Sequence, residues 1–222
     1  MNRGELKGKA KELVRGNKWY IWKPLIFYGL ITFGIALICG ILDSALGLTT
    51  EKIVEIGDIS YTYTQGGIFT IIAEIILSII GFAFSIGYAK YVLSFVRGTK
   101  MEFKDLVNFG KDNLVIAILS GLLVGIIVFV GTLLLIIPGI IAALGLCYYK
   151  EVCADNPELG AKEIVKKSWE LTKGFKLDLF VLGLSFIGWC ILAGLTLGIL
   201  YIWLIPYMIV TLTVAYEYLR TR

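Results

Sequence analysis

Four long apolar stretches, separated by charged segments, organise this chain. The first runs over Pro24–Leu42, and the second over Ile68–Ala89 with Glu74 as its one interruption. The third, Leu114–Tyr149, holds 36 residues without a charge, and the fourth, Leu179–Tyr216, holds 38. A single helix of that length would reach about 54–57 Å at about 1.5 Å per residue. A bilayer's hydrocarbon core is only about 30 Å thick, so each long stretch must fold back as a helical hairpin. A turn near Gly131-Thr132 divides the third stretch into two spans. A turn near Gly198 divides the fourth. Pro138 and Pro206 then fall inside the fourth and sixth helices as kinks, which membrane helices tolerate. The pattern predicts spans over roughly 24–43, 68–92, 114–130, 132–150, 179–197 and 199–218. The fold class expected is all-α: a polytopic integral membrane protein of about six transmembrane helices, arranged as three hairpins with amphipathic cytoplasmic connector helices.

Charge orients these spans. With the N-terminus inside, segments 1–23, 96–113 and 150–178 and the C-terminal Arg220 and Arg222 carry 7, 4, 6 and 2 basic residues. Lys90 ends the second span and Lys52 alone falls outside, so basic residues gather on one face as cytoplasmic loops require. The external segment 43–67 carries Asp43, Glu51, Glu55 and Asp58. Both termini are expected to be cytoplasmic. The first stretch is longer than a signal-peptide core of about 7–15 residues and is expected to be retained. Only 17% of the residues are charged and mean hydropathy is +0.83, which removes an ordinary soluble domain from consideration.

Three short motifs suggest an internal repeat. Lys11-Glu12-Leu13-Val14, Lys104-Asp105-Leu106-Val107 and Lys162-Glu163-Ile164-Val165 each precede a hairpin. The chain, one membrane domain over 1–222, divides on this pattern into units 1–95, 96–152 and 153–222, each with a basic surface helix before its spans.

Candidate chemistry is sparse. There is no histidine, so the commonest general base and metal ligand are missing. Cys39, Cys147, Cys153 and Cys190 lack zinc-type spacing. Nucleophile elbows, phosphate loops and clustered metal ligands are also missing. No cofactor, metal or catalytic residue is expected, and the chain is not expected to be an enzyme. The intramembrane acid Glu74 is the best polar candidate, with Ser78 one turn further in and Asp43 on the first span at a similar or shallower level. Two acids facing one another could bind a cation or share a proton. The plainer alternative has Glu74 reaching outer headgroups or bonding Tyr61 or Tyr63. For close helix packing the candidates are Gly139, Ser185, Gly188 and Trp189, with Gly194–Gly198 and Gly121–Gly125 as GxxxG pairs. Asp155-Asn156-Pro157 reads as the cap of a surface helix over 157–173, anchored at headgroup depth by Trp169. Tyr148, Tyr149, Tyr216 and Tyr218 are expected to form an inner aromatic belt.

In order and spacing, Ile137-Pro138-Gly139, Ala154-Asp155-Asn156-Pro157, Ser168, Gly174, Leu184-Ser185-Phe186-Ile187-Gly188-Trp189, Gly198 and Pro206-Tyr207 resemble the bacterial domain-of-unknown-function 975 family. The opening Met1–Lys7, Ala10 and Gly16-Asn17-Lys18-Trp19 is similar to how its members begin. The resemblance implies a multispan protein of the bacterial cytoplasmic membrane with no established activity. It also implies a distant likeness to the non-catalytic membrane domain of some glycerophosphodiester phosphodiesterases, from which no active site carries over. Expected partners are the lipid bilayer and another membrane protein or a second copy; nucleic acid is not expected. Two functions follow as expectations. One is a non-enzymatic envelope-homeostasis, accessory or immunity-type protein; the other is a small transporter or lipid-handling protein with a cavity near Glu74.

Overall fold

The computed structural model describes residues 2–57 and 59–222, so Met1 and the expected external acid Asp58 lie outside the described residues. A short polar helix α1 (Arg3–Val14) leads into α2 (Lys18–Ala45). The chain then forms a β-hairpin, β1 (Thr50–Ile56) and β2 (Ile59–Gln65), before α3 (Ile68–Val96). Next come α4 (Phe103–Asp112), α5 (Leu114–Leu134), α6 (Ile136–Gly145), α7 (Tyr149–Asp155) and α8 (Ala161–Leu171). The last two helices are α9 (Lys176–Leu195) and α10 (Tyr201–Arg220).

Six segments among the described residues are long and apolar enough to cross a membrane: α2, α3, α5, Ile136–Asp155, α9 and α10. The fold is therefore that of an all-α polytopic membrane protein. Its surface agrees: Leu133, Leu134, Leu135, Ile136 and Ile137 at the α5–α6 tip are exposed, as are Leu195 and Leu197 at the α9–α10 tip. Water would not tolerate such a patch on a soluble protein, whereas acyl chains solvate it.

Two turns show how the sequence sets the helix ends. Leu135 is extended (φ −164°, ψ 149°) and separates α5 from α6. The hairpin thus turns at Leu135 and not near Gly131, which corrects the sequence expectation. Pro138 becomes the third residue of α6, in its first turn. There the missing N–H has no intrahelical partner to lose, so the proline starts the helix instead of kinking it. The fourth membrane segment then runs on to Asp155, past Lys150 and Glu151, with a break at Leu146–Tyr148. The second turn follows α9, where Gly198 (φ +86°) supplies a left-handed residue and its N–H reaches Ala193 O at 2.9 Å. This is the predicted turn near Gly198. Pro206 lies inside α10, as expected.

The β-hairpin was not foreseen. Thr50 to Gln65 pairs antiparallel in register, Thr50 with Gln65 through Ile56 with Ile59, and Gly57 (φ +63°) turns the chain. The β-branched and tyrosine content of Ile53, Val54, Thr62, Tyr63 and Thr64 suits a two-faced strand.

The chain divides into two compact units. The smaller, residues 23–81, holds most of α2, the β-hairpin and the first half of α3. The larger, residues 1–22 and 82–222, holds everything else. This division does not follow the three sequence repeats, although each repeat motif lies on a short helix: α1, α4 and α8. Leu106 and Ile164 are fully buried in the second and third copies, whereas the first buries Val14 and leaves Leu13 partly exposed.

Within the larger unit α10 is the most buried long helix, covered by Leu6, Ala10 and Val14 of α1 on one side and by α9 on another. Tyr148 and Tyr216 are buried against each other, ring centroids 5.6 Å apart, and so are core residues and not members of an interfacial belt.

Candidate functional site

The acid pair suggested by the sequence lies in the smaller unit. Asp43, near the end of α2, is fully buried. Its Oδ1 accepts from the Phe69 N–H at 3.1 Å, and its Oδ2 from the Thr70 N–H at 2.8 Å and the Thr70 hydroxyl at 2.6 Å. Those amides belong to the first turn of α3, where backbone donors have no helical acceptor and the helix dipole favours negative charge. Asp43 therefore caps α3 from a distance of 26–27 residues in sequence. Glu74 is exposed on α3, and Ser78 donates at 2.7 Å to its backbone carbonyl and not to its carboxylate. Asp43 and Glu74 thus share the end of one helix, but Asp43 is committed to backbone.

A second group of charges lies in the larger unit, where α3, α7 and α10 end together. Arg97 donates to Asp155 through two nitrogens, at 2.8 and 2.6 Å, and to Glu217 through Nε at 2.8 Å. Tyr216 donates to Asp155 at 3.0 Å, and Arg220 to Glu217 at 3.1 Å. Lys90 stands 4.0 Å from Asp155 and donates to Ala154 O at 3.0 Å. The hydrogen bonds to Asp155 raise Arg97 above its already high ordinary pKa, so it stays a cation. Planar fork-to-carboxylate contacts fix direction as well as charge, so the cluster locks three helix ends.

Asp155 was expected to cap the surface helix, and the structure corrects this. Asp155 ends α7, and Asn156 is the residue after it. The surface helix begins later, at Ala161, where Glu163 Oε2 accepts from the Gly160 N–H at 3.1 Å. Pro157 lies in the turn between, and Asn156 accepts from Lys167 at 2.7 Å. Sequence spacing could not reveal Asp155's role, because Arg97 and Tyr216 lie 58 and 61 residues away.

The surface helix α8 clamps the break between α6 and α7. Gly145 ends α6, so its carbonyl would lack a helical partner. Ser168 and Thr172 donate to that oxygen at 3.3 and 3.1 Å. The Trp169 ring lies so close to Gly145 that a side chain there would meet it, and Lys176 Nζ stands 3.0 Å from the ring centroid. Trp169 thus packs against Gly145 and the Lys176 ammonium while remaining 39% exposed. Beside this clamp lies a cavity of about 480 Å³. Leu123, Ile127, Leu146, Val165 and Trp169 line it together with Lys162, Lys166 and Glu170, and Lys166 stands 3.9 Å from Glu170.

The predicted packing residues fall into two groups. Gly139 lies against Thr132 of α5, a close approach that only glycine permits. Gly188 and Gly194 face open space, Ser185 bonds back to Leu182 O, and Trp189 is exposed 6.3 Å from the Trp203 ring. The expected close approach through Gly188 and Gly194 is therefore not made within this chain. Among the described residues no group of three metal-ligating side chains comes together.

Comparison with known proteins agrees with the sequence reading. The family model described as "Protein of unknown function (DUF975)" matches residues 122–222, which supports the assignment to the domain-of-unknown-function 975 family. No curated protein and no solved structure matches the chain.

Proposed function

We propose that this chain, whose C-terminal part carries the pattern of the domain-of-unknown-function 975 family, is a non-enzymatic component of the bacterial cytoplasmic membrane. It works through its surfaces, in envelope homeostasis or as an accessory or immunity-type partner of another membrane component. The observation that carries this reading is the state of Asp43. The one acid placed to partner Glu74 has both carboxylate oxygens on the first turn of α3. Asp155 and Glu217 are bound by arginines in a cluster that joins helix ends. Acids bound in this way hold structure and are not free to work on a substrate. The test is crosslinking in native membranes followed by affinity purification. The reading expects a second membrane protein in constant ratio. Recovery of the chain alone from crosslinked membranes would contradict it.

A second reading, lipid handling or small-molecule transport, draws on two features. The mostly apolar cavity suits an acyl chain, with Lys162 for an anionic head beside the Lys166–Glu170 pair. Glu74, exposed on α3, would be the coupling group of a transporter. Purified protein in proteoliposomes would then move lipid or solute, and Glu74→Gln would stop ion-coupled flux. Unchanged flux in that variant removes Glu74 from the mechanism.

A further inference from the structure

The last hairpin is long and apolar enough to cross a bilayer, yet its surroundings in the larger unit are not those of a crossing. Basic residues meet it at its tip, its middle and its base. At the tip, Lys18 shares a cavity of about 430 Å³ with Thr196, Ile199, Leu200 and Trp203, and the Trp22 indole donates to Ile202 O at 2.7 Å. At the middle, Lys7 Nζ lies 4.4 Å from the ring centroid of Phe186, the eleventh residue of α9. At the base, Glu217 of α10 binds Arg97 and Arg220.

The helices around the hairpin form three layers. α9 buries Leu179, Leu182, Phe186 and Ala193 and leaves Leu177, Leu184, Ile187, Ile191 and Leu195 exposed. α10 is the middle layer, with Leu204, Val210 and Val214 buried. α1 is the third, its Leu6, Ala10 and Val14 turned to the protein and Lys9, Lys11 and Glu12 exposed. Apolar surface therefore lies on one side of the hairpin and charge on the other, along its whole length and not only at its ends. A helix pair that crosses a bilayer shows the opposite arrangement, with charge at the ends and apolar surface between. Were α10 to stand upright through the membrane, α1 would bring Lys7 to the middle depth of α9, where an unpaired ammonium is strongly disfavoured. An amphipathic block of this kind is stable lying in the interface plane.

We infer that α9–α10 lies lengthwise in the cytoplasmic leaflet, with α9 among the acyl chains and the lysines of α1 at anionic lipid headgroups. The chain then crosses through α2, α3, α5 and the α6–α7 segment. Four crossings keep both termini on one side, so the distribution of basic residues is preserved. Polybasic segments gain from the negative surface of that leaflet, and α1 offers the exposed Arg3, Lys9 and Lys11 to it.

Cysteine labelling in intact cells tests this. Lys52→Cys, Leu197→Cys and Lys9→Cys are each added to the natural four cysteines, and labelling by a membrane-impermeant maleimide is read by peptide mapping. Leu197 is 94% exposed at the tip, so folding should tolerate its replacement. The expected result is outside labelling of Lys52→Cys, none at Leu197→Cys above background, and labelling of Lys9→Cys only after the cells are opened. Outside labelling of Leu197→Cys at the rate of Lys52→Cys would overturn the inference. A nitroxide on Leu197→Cys, in nanodiscs of phosphatidylglycerol and phosphatidylethanolamine, gives an independent reading. Collisions with dissolved oxygen exceeding those with a water-soluble nickel chelate support a lipid-seated tip; the reverse ratio overturns it.

Discussion

Replacing Arg97 with methionine removes the cation that joins three helix ends while keeping much of the side chain's length. Arg97 gives two hydrogen bonds to Asp155 and two, through Nε and Nη2, to Glu217 Oε1, and it is the closest cation to both. The side chains of Asp155 and Glu217 are 9% and 17% exposed, so water replaces the lost donors only in part. Leaving a buried carboxylate without its partner costs about 3–5 kcal/mol in fully buried pairs. Here Tyr216 and Lys90 still serve Asp155, and Arg220 serves Glu217, so the loss is smaller. A value of about 2–3 kcal/mol follows, at the upper end of what a charged hydrogen bond contributes. For a chain of this length that corresponds to a fall in Tm of about 4–12 °C. Thermal unfolding of the purified protein in mild detergent, followed by circular dichroism, measures it. The double variant Arg97→Met with Asp155→Asn should lose much less than the sum of the two single losses, because the pair is removed together. An unchanged Tm in Arg97→Met, or strict additivity in the double variant, would refute the cluster's role.

Three further outcomes follow from the same geometry. Gly145→Ala pushes against the Trp169 ring and should cost about 1–3 kcal/mol, with a shift in tryptophan emission as the ring moves. Asp43→Ala removes three acceptor contacts from the start of α3, so amide exchange at Phe69 and Thr70 should accelerate while the larger unit stays protected; unchanged exchange there would contradict the cap. Glu74→Gln alters an exposed side chain and should leave the unfolding free energy, measured by denaturation in detergent, within about 0.5 kcal/mol of the parent's.

The membrane helices were legible because uncharged runs of 36 and 38 residues have few physical solutions. The exact turn in the third stretch was not. The uncharged run ends at Tyr149, and a fourth span bounded there needs a turn near Gly131 to be long enough. The chain instead continues through Lys150 and Glu151 to Asp155 and turns at Leu135. The β-branched and tyrosine residues from Ile53 to Thr64 carry the signal of the β-hairpin, and the acids interleaved with them give the segment the look of a polar loop. The site residues were least legible. Asp43 and Asp155 both act on partners distant in sequence, one on a helix start and the other on two other helix ends. Neither contact leaves a periodic or motif-like trace. Gly145 gave no signal by itself either, since its importance comes from a tryptophan 24 positions later.

The apolar segments that cross the bilayer do so an even number of times, with the basic segments facing inward. Single cysteines in place of Lys52, in β1, and Lys111, in α4, test it when treated with an impermeant reagent before and after cell rupture. Lys52→Cys should react in intact cells and Lys111→Cys only in ruptured ones. Reaction of both, or of neither, before rupture would contradict the account.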